Sequence, residues 1–264
     1  MTDMGSIGEK LHDWRRRRRL SQLDLASDAD ISARHLSFIE TGRSKPSRPM
    51  LLKLAETLDI PLRERNAWLL AAGFAPIFPE RPLDDAALRP TLDLLETLLA
   101  AHQPFPALAI DRHWTLVRAN AAITPLLEGI APFLLEPPVN VLRLSLHPQG
   151  LAPRIANLFE WKAHLLHRLA RQITDTADPV LADLYEELRH YPAGTPTPAQ
   201  PATAIAVPLQ LRSPAGIMSF LSTTMVFGTP LDVTLSELAI ETFLPADAAT
   251  IEMLKRTMAP VSED

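Results

Sequence analysis

The stretch Ser21-Gln-Leu-Asp-Leu-Ala-Ser-Asp-Ala-Asp-Ile-Ser-Ala-Arg-His-Leu-Ser-Phe-Ile-Glu-Thr-Gly42 holds two helix starts and one helix stop. Ser21 stands where an N-cap stands, with Asp24 three residues on, so its hydroxyl can meet the early backbone N–H groups. The spacing predicts a short helix over Gln22 to Ala29 with Leu25 and Ala26 inward, and a turn at Asp30-Ile31. Ser32 caps a second helix, Ala33 to Glu40, with Leu36 and Ile39 toward the core, and Gly42 ends it as a left-handed C-terminal residue. Working outward, Ile7, Leu11 and Trp14 recur at helical spacing before the run Arg15 to Arg19. Pro46 and Pro49 lead into a helix over Met50 to Leu58, and Leu62 to Ala72 forms a fifth helix closed by Gly73.

Two short helices joined by a tight turn inside a five-helix unit make a helix-turn-helix arrangement. Across roughly residues 7–73 this stretch, with Arg43-Ser-Lys-Pro46 and Leu54-Ala-Glu-Thr-Leu-Asp-Ile60, resembles the Xre/phage-repressor-like family. The resemblance implies double-stranded DNA as partner. It puts Gln22, with Ser21 beside it, at the helix start that hydrogen-bonds a phosphate. It puts Ser32, Ala33 and Arg34 at the end of the recognition helix that faces base edges, where Arg34 can pair with guanine O6 and N7. His35 and Phe38 flank the groove; Phe38 departs from the polar residue usual there and either meets a thymine methyl or is buried. Thr41, Arg43 and Lys45 are placed to grip phosphates, and Arg15 to Arg19 add attraction to the backbone. Taken alone, such a charge run is more often a solvated helix face.

The full chain of 264 residues is 47% apolar and 22% charged, a globular composition. Cysteine is absent, which excludes disulfides, thiolate metal sites, iron–sulfur clusters and a cysteine nucleophile. A net charge of −5 argues, by itself, against a partner as anionic as DNA. The charge is uneven, however: Met1 to Pro76 carries +3 and the remainder −8. The break falls where Pro76, Pro79 and Pro82 cannot extend a helix, three of 25 prolines against 9 glycines. The expected division is a DNA-binding domain over 1–76, a linker over 77–89 and a second domain over 90–264. Met1 to Trp14 has no apolar core for a signal peptide. The uncharged stretches Tyr191 to Leu211 and Ser213 to Leu231 are broken by proline, glycine and hydroxyl residues, so the chain reads as soluble and cytoplasmic, with no membrane partner.

The second part mixes periods. A helix is expected from Asp84-Asp85 to Ala101, then short strands over Ala107 to Asp111 and Trp114 to Arg118, and a helix over Ala121 to Leu127. Ile155 to Gln172 and Pro179 to His190 read as helices, and Thr203 to Arg212 and Ile217 to Phe227 as strands about the turn Ser213-Pro-Ala-Gly216. Leu235 to Leu244 is favoured as strand and Pro245 to Met258 as helix, giving an α+β domain with an antiparallel sheet. Asp111-Arg-His-Trp-Thr-Leu-Val-Arg-Ala-Asn-Ala121 is similar to the opening of PAS-like sensor domains. Asn140-Val-Leu-Arg-Leu144, His147-Pro-Gln-Gly150, Asn157, Trp161 and Ser219 to Asp247 resemble the ligand-binding domain of MmyB-like transcription regulators, over roughly residues 90–258.

That resemblance implies a PAS-like pocket for an apolar, fatty-acid-like small molecule, and a homodimer. Leu116, Phe159, Leu166, Phe220 and Met225 are the candidate lining, although large apolar residues in such elements are mostly core. Arg143 and Asn157 are candidates for a carboxylate head group, or else they fix backbone carbonyls. A protein-interaction or dimerisation module without a ligand is the alternative. Glu160, His164 and His167 share a helical face, and Glu187-Leu-Arg-His190 has a metal-ligand spacing, but no second such motif joins it. No Gly-rich phosphate loop and no Gly-x-Ser-x-Gly elbow occurs, so neither a cofactor nor an enzyme is expected.

Overall fold

Capping serines open four of the first five helices in the computed structural model, which describes residues 5–195 and 206–258. The helices are α1 (Ile7–Arg17), α2 (Gln22–Asp28), α3 (Ala33–Glu40), α4 (Arg48–Thr57) and α5 (Leu62–Ala71). Ser6 with Glu9 and Ser21 with Asp24 form reciprocal capping boxes, so two otherwise orphaned N–H groups are met at each start. The fourth helix begins at Arg48, earlier than the apolar stripe alone predicts, because Ser47 caps it and Pro49 is tolerated in a first turn. Leu11, Trp14, Leu25, Leu36, Ile39, Leu51, Leu54 and Trp68 are among the fully packed side chains, each contributing about 1.5–3 kcal/mol of burial. Helices α1 and α3 meet so closely that a Cβ on Gly8 would lie 2.4 Å from the Glu40 carbonyl oxygen, so even Gly8→Ala would force them apart.

The chain forms two compact units. The first takes residues 1–81 together with 174–177 and 229–236; the second takes 82–173, 178–228 and 237–264. Segment 229–236 is held in the first unit by Arg81 on Asp232 at 2.7 Å and by the Val233 N–H on the Pro79 carbonyl at 2.8 Å.

The second unit is built on a five-stranded antiparallel sheet of order β2-β1-β5-β4-β3. Its strands are β1 (Ala107–Ile110), β2 (Leu116–Ala119), β3 (Leu209–Ser213), β4 (Gly216–Val226) and β5 (Ala239–Pro245). Register pairs Leu108 with Glu241 across β1 and β5, and Ser222 with Phe243 across β4 and β5. Its helices are α6 (Arg89–Ala101), α7 (Val141–Leu146), α8 (Leu158–Thr176), α9 (Pro179–Arg189) and α11 (Ala248–Met258), while α10 (Val233–Ser236) belongs to the first unit. The expected helix over Ala121 to Leu127 is a 3₁₀ turn, since Pro125 inside it has no N–H to give. Leu235 to Leu244 divides: its first residues end α10, and the strand starts only at Ala239. The N-terminal part of the strand expected over Thr203 to Arg212 lies outside the described residues. The architecture is an all-helical helix-turn-helix unit and a PAS-like α+β unit.

Candidate functional site

In the first unit, α3 presents its N-terminal half outward. The Ser32 hydroxyl accepts the His35 N–H at 3.1 Å, which sets the helix start, and Ala33 sits half-buried in the first turn. Arg34 is exposed, with its guanidinium 5.3 Å from the centroid of the Phe38 ring one turn on. Such a cation–π pair is worth about 0.5–1 kcal/mol at an exposed site, so Phe38 is a half-buried platform that restricts Arg34. Thr41 donates its hydroxyl to the Ser37 carbonyl at 2.7 Å, and Arg43 and Lys45 stand exposed beyond Gly42, whose φ of +71° needs glycine.

Three helices are clasped beneath this face. Arg15 on α1 donates to both oxygens of Glu40 on α3, at 2.7 and 3.1 Å, and to the Leu20 carbonyl at 2.8 Å. Gln22 on α2 donates to Glu40 at 2.6 Å, while Ser21 caps α2 at 3.1 Å. The Glu40 carboxyl is pushed up by burial, but the bonds from Arg15 and Gln22 outweigh that and hold it below the ordinary carboxylate range. Arg18 donates to the Leu58 and Asp59 carbonyls at the end of α4. The five-arginine run therefore has two jobs: Arg15 and Arg18 fasten helices, and Arg16, Arg17 and Arg19 face outward.

The second unit holds a partly open cavity of about 270 Å³ between sheet and helices. Its wall is almost wholly apolar, with Trp114, Leu116, Trp161, Leu165, Phe220 and Phe243 among it. Arg168, Glu241, Ser145 and Ser222 are the polar side chains of the wall among the described residues, apart from the two indoles. Arg168 on α8 donates to the Glu241 oxygens on β5 at 2.7 and 3.2 Å and to the Thr224 hydroxyl at 3.0 Å, and that hydroxyl donates on to Glu241 at 2.8 Å. The guanidinium stacks 4.9 Å from the Trp114 ring. Trp114 itself holds φ at +64°, a left-handed conformation rare for a bulky side chain, and its indole N–H donates to Gln172 at 2.8 Å. The Trp161 indole donates to the Ser145 hydroxyl at 3.1 Å, so both tryptophans are fixed.

Residues 92–256, more than half of the chain, match the family model of the MmyB-like transcription regulator ligand binding domain. The chain belongs to this family. Residues 11–65 match the helix-turn-helix family model, and no curated protein matches the chain. The molecule is thus a DNA-binding helix-turn-helix regulator of Xre type with an MmyB-like C-terminal domain, of a fold associated with ligand sensing. Both families are non-catalytic, and among the described residues no three His, Asp or Glu side chains are grouped to hold a metal. No described helix is long and apolar enough to cross a membrane.

Within the MmyB-like domain the sequence-predicted lining separates. Leu116 and Phe220 lie in the cavity wall. Met225 does not: side chains alternate along a strand, so five residues beyond Phe220 it points to the opposite face, where it is exposed. Phe159 and Leu166 do not either, because the wall positions of α8 are Trp161, Leu165 and Arg168 at i, i+4 and i+7, leaving Phe159 exposed and Leu166 beside the stripe. Arg143 is outside the cavity and paired with Glu187 on α9 through three contacts of 2.7–3.0 Å. Asn157 is fully buried as a stitch, donating to the Pro208 carbonyl and accepting the Gln210 N–H ahead of and within β3. Sequence reasoning missed Arg168 and Glu241. The signal was there: a charge inside the apolar stripe of α8, and a carboxylate within a buried run of β5.

Proposed function

We propose that the chain is a one-component regulator that binds a two-fold DNA operator as a homodimer and changes its affinity when an apolar, fatty-acid-like small molecule occupies the cavity of the MmyB-like domain. The observation that carries the reading is the 270 Å³ apolar cavity with few polar side chains in its wall, the usual form of a small-molecule site. On the DNA side, support comes from Arg34, exposed on the first turn of α3 and restricted by Phe38, with Arg43 and Lys45 exposed after the helix. Ser32, Ala33 and Arg34 face base edges, with Arg34 reading one and Phe38 orienting it, while Gln22, Ser21, Thr41, Arg43 and Lys45 hold the phosphate backbone. Ligand alters DNA binding only by its differential affinity for two arrangements of the dimer.

The test has two arms. Duplexes selected from a random pool should carry repeated half-sites, and Arg34→Ala should cost about 1–3 kcal/mol while relaxing preference at one position per half-site. Mass spectrometry of solvent extracts of the purified protein should show an apolar compound that a cavity-filling Leu165→Trp variant lacks. Selection of no sequence would sink the DNA reading, and extracts identical for both proteins would sink the ligand reading.

A further inference from the structure

Resting on the reading that cavity occupancy changes DNA affinity, we propose that the chain itself carries that change. Segments 174–177 and 229–236, which belong to the DNA-binding unit, pass the state of the cavity into it. Among the described residues the chain goes from one unit to the other five times, after positions 81, 173, 177, 228 and 236. A single tether near 77–89 would transmit no strain, whereas these two returns grow directly out of elements that build the cavity wall. Helix α8 supplies Trp161, Leu165 and Arg168 to the wall and runs unbroken to Thr176, so its last three residues lie in the first unit. Asp175 stands seven residues beyond Arg168, about two helical turns along the same rod. Segment 229–236 joins β4, which supplies Phe220 and Ser222, to β5, which supplies Glu241 and Phe243.

At the wall, α8 is held by Trp114. The Trp114 ring carries the Arg168 guanidinium at 4.9 Å, and its indole N–H donates to Gln172, one turn farther along the helix. Gln172 donates in turn to the Arg112 carbonyl at 2.8 Å. With φ at +64°, Trp114 is strained, and such a conformation persists only while its surroundings hold it. A molecule pressing on Trp114 or Leu165 therefore acts on the contacts that fix α8. Within the first unit both segments are fastened to the DNA-binding fold. Asp175 accepts from Arg18 at 3.0 Å, and the same guanidinium donates to the Leu58 and Asp59 carbonyls at the end of α4. Ala177 packs against the apolar core of that unit. In the other segment Asp232 and Val233 are buried, Arg81 pairs with Asp232, the Val233 N–H meets the Pro79 carbonyl, and the Thr234 hydroxyl donates to the Arg81 carbonyl. Displacing α8 or the β4–β5 pair thus pulls on groups of the unit that carries α3.

The experiment uses the full-length protein, a duplex selected from a random pool, and two ways of filling the cavity: decanoate as the probe, and Leu165→Trp. Each filling should change duplex affinity by at least about fivefold, the lower range of allosteric coupling. The test variant combines Asp175→Ala with two glycines inserted after Gly228, which adds slack but leaves Arg81 on Asp232. Neither change touches the cavity wall or α3, so decanoate affinity by calorimetry and unfilled duplex affinity should stay as they are. Filling the cavity of this variant should change duplex affinity by less than about twofold. A full response in the slackened variant overturns the route and leaves the ligand reading standing. No response of the unmodified protein to decanoate, and none to Leu165→Trp, overturns the ligand reading and the route with it. If the insertion does not fold, Asp175→Ala alone decides. That side chain is 57% exposed and Arg18 keeps its two carbonyls, so the response should fall by at least about half, and no fall overturns the route.

Discussion

Each unit contains one arginine–glutamate pair with a nearly sealed carboxylate, and the two pairs are bonded almost identically. Arg15 and Glu40 use three N–H donors and fill three acceptor positions through α1, α2, α3 and the Leu20 carbonyl, while Arg168 and Glu241 do the same through α8, β4 and β5. Both glutamate side chains are 4% exposed. What separates them is the neighbourhood. The Arg15 guanidinium is 10% exposed and tied to backbone and side chains of packed helices, so its remaining capacity has nowhere to go. The Arg168 guanidinium is 26% exposed and borders an apolar cavity. The same two side chains are locked among helices in one place and face an apolar space in the other.

The comparison is broken most directly by removing each arginine in turn. Arg15→Met leaves Glu40 charged and buried among packed helices, which should cost the first unit about 3–5 kcal/mol, read by urea unfolding through Trp14 and Trp68. Replacing Glu40 by leucine as well should recover most of that loss, since a buried ion pair is often matched by well-packed apolar residues. Arg168→Met should cost the second unit less, about 1–3 kcal/mol, because the Arg168 side chain is more exposed than that of Arg15 and lies beside open cavity space. Equal losses would mean that the cavity makes no difference to the pair.

Acid sharpens the contrast within the first unit. The Glu40 carboxyl is held below its ordinary value of 4.5, so its stabilising contribution is complete above pH 4.5 and is lost as pH falls through the lower folded value. In Arg15→Met burial is opposed only by the Gln22 bond and the His12 charge, so the folded pKa should rise above the unfolded one and the slope reverse: stability should increase as pH falls toward 4.5. Unfolding curves collected at a series of pH values separate these two signs. An unchanged slope in the variant would show that Arg15 does not govern the Glu40 carboxyl.

How far the sequence could be read follows the same division between local and distant effects. Helix starts were legible because a serine cap and its partner three residues on act within one turn, as at Ser21 and Ser32. The wall position of Phe220 and the outward position of Met225 were open to strand parity, once the strand was known to run unbroken through both. Arg143 was not legible: its side chain meets Glu187, 44 residues away, and no local pattern announces that α7 and α9 pack together. Arg168 and Glu241, 73 residues apart, were concealed in the same way, although each alone violates the apolar pattern of its own element. The arginine run divides for a related reason. Consecutive residues on a helix point in different directions, so one run of five supplies two structural clamps and three outward charges.

A third pair completes the gradient and gives the smallest expected effect. Arg143 and Glu187 have the most regular geometry of the three, yet their side chains are 45% and 35% exposed. Water screens the attraction and solvates either partner left alone, so the pair should be worth no more than about 1 kcal/mol. Glu187 also keeps a bond from the Tyr191 hydroxyl when the arginine is gone. Arg143→Ala should therefore lower the stability of the second unit by less than either buried variant, measured under the same urea conditions. Since Arg143 does not line the 270 Å³ cavity, solvent extracts of the variant should hold the same apolar compound as those of the unmodified protein. Loss of that compound would return Arg143 to the ligand site and make exposure a poor guide to what these pairs do.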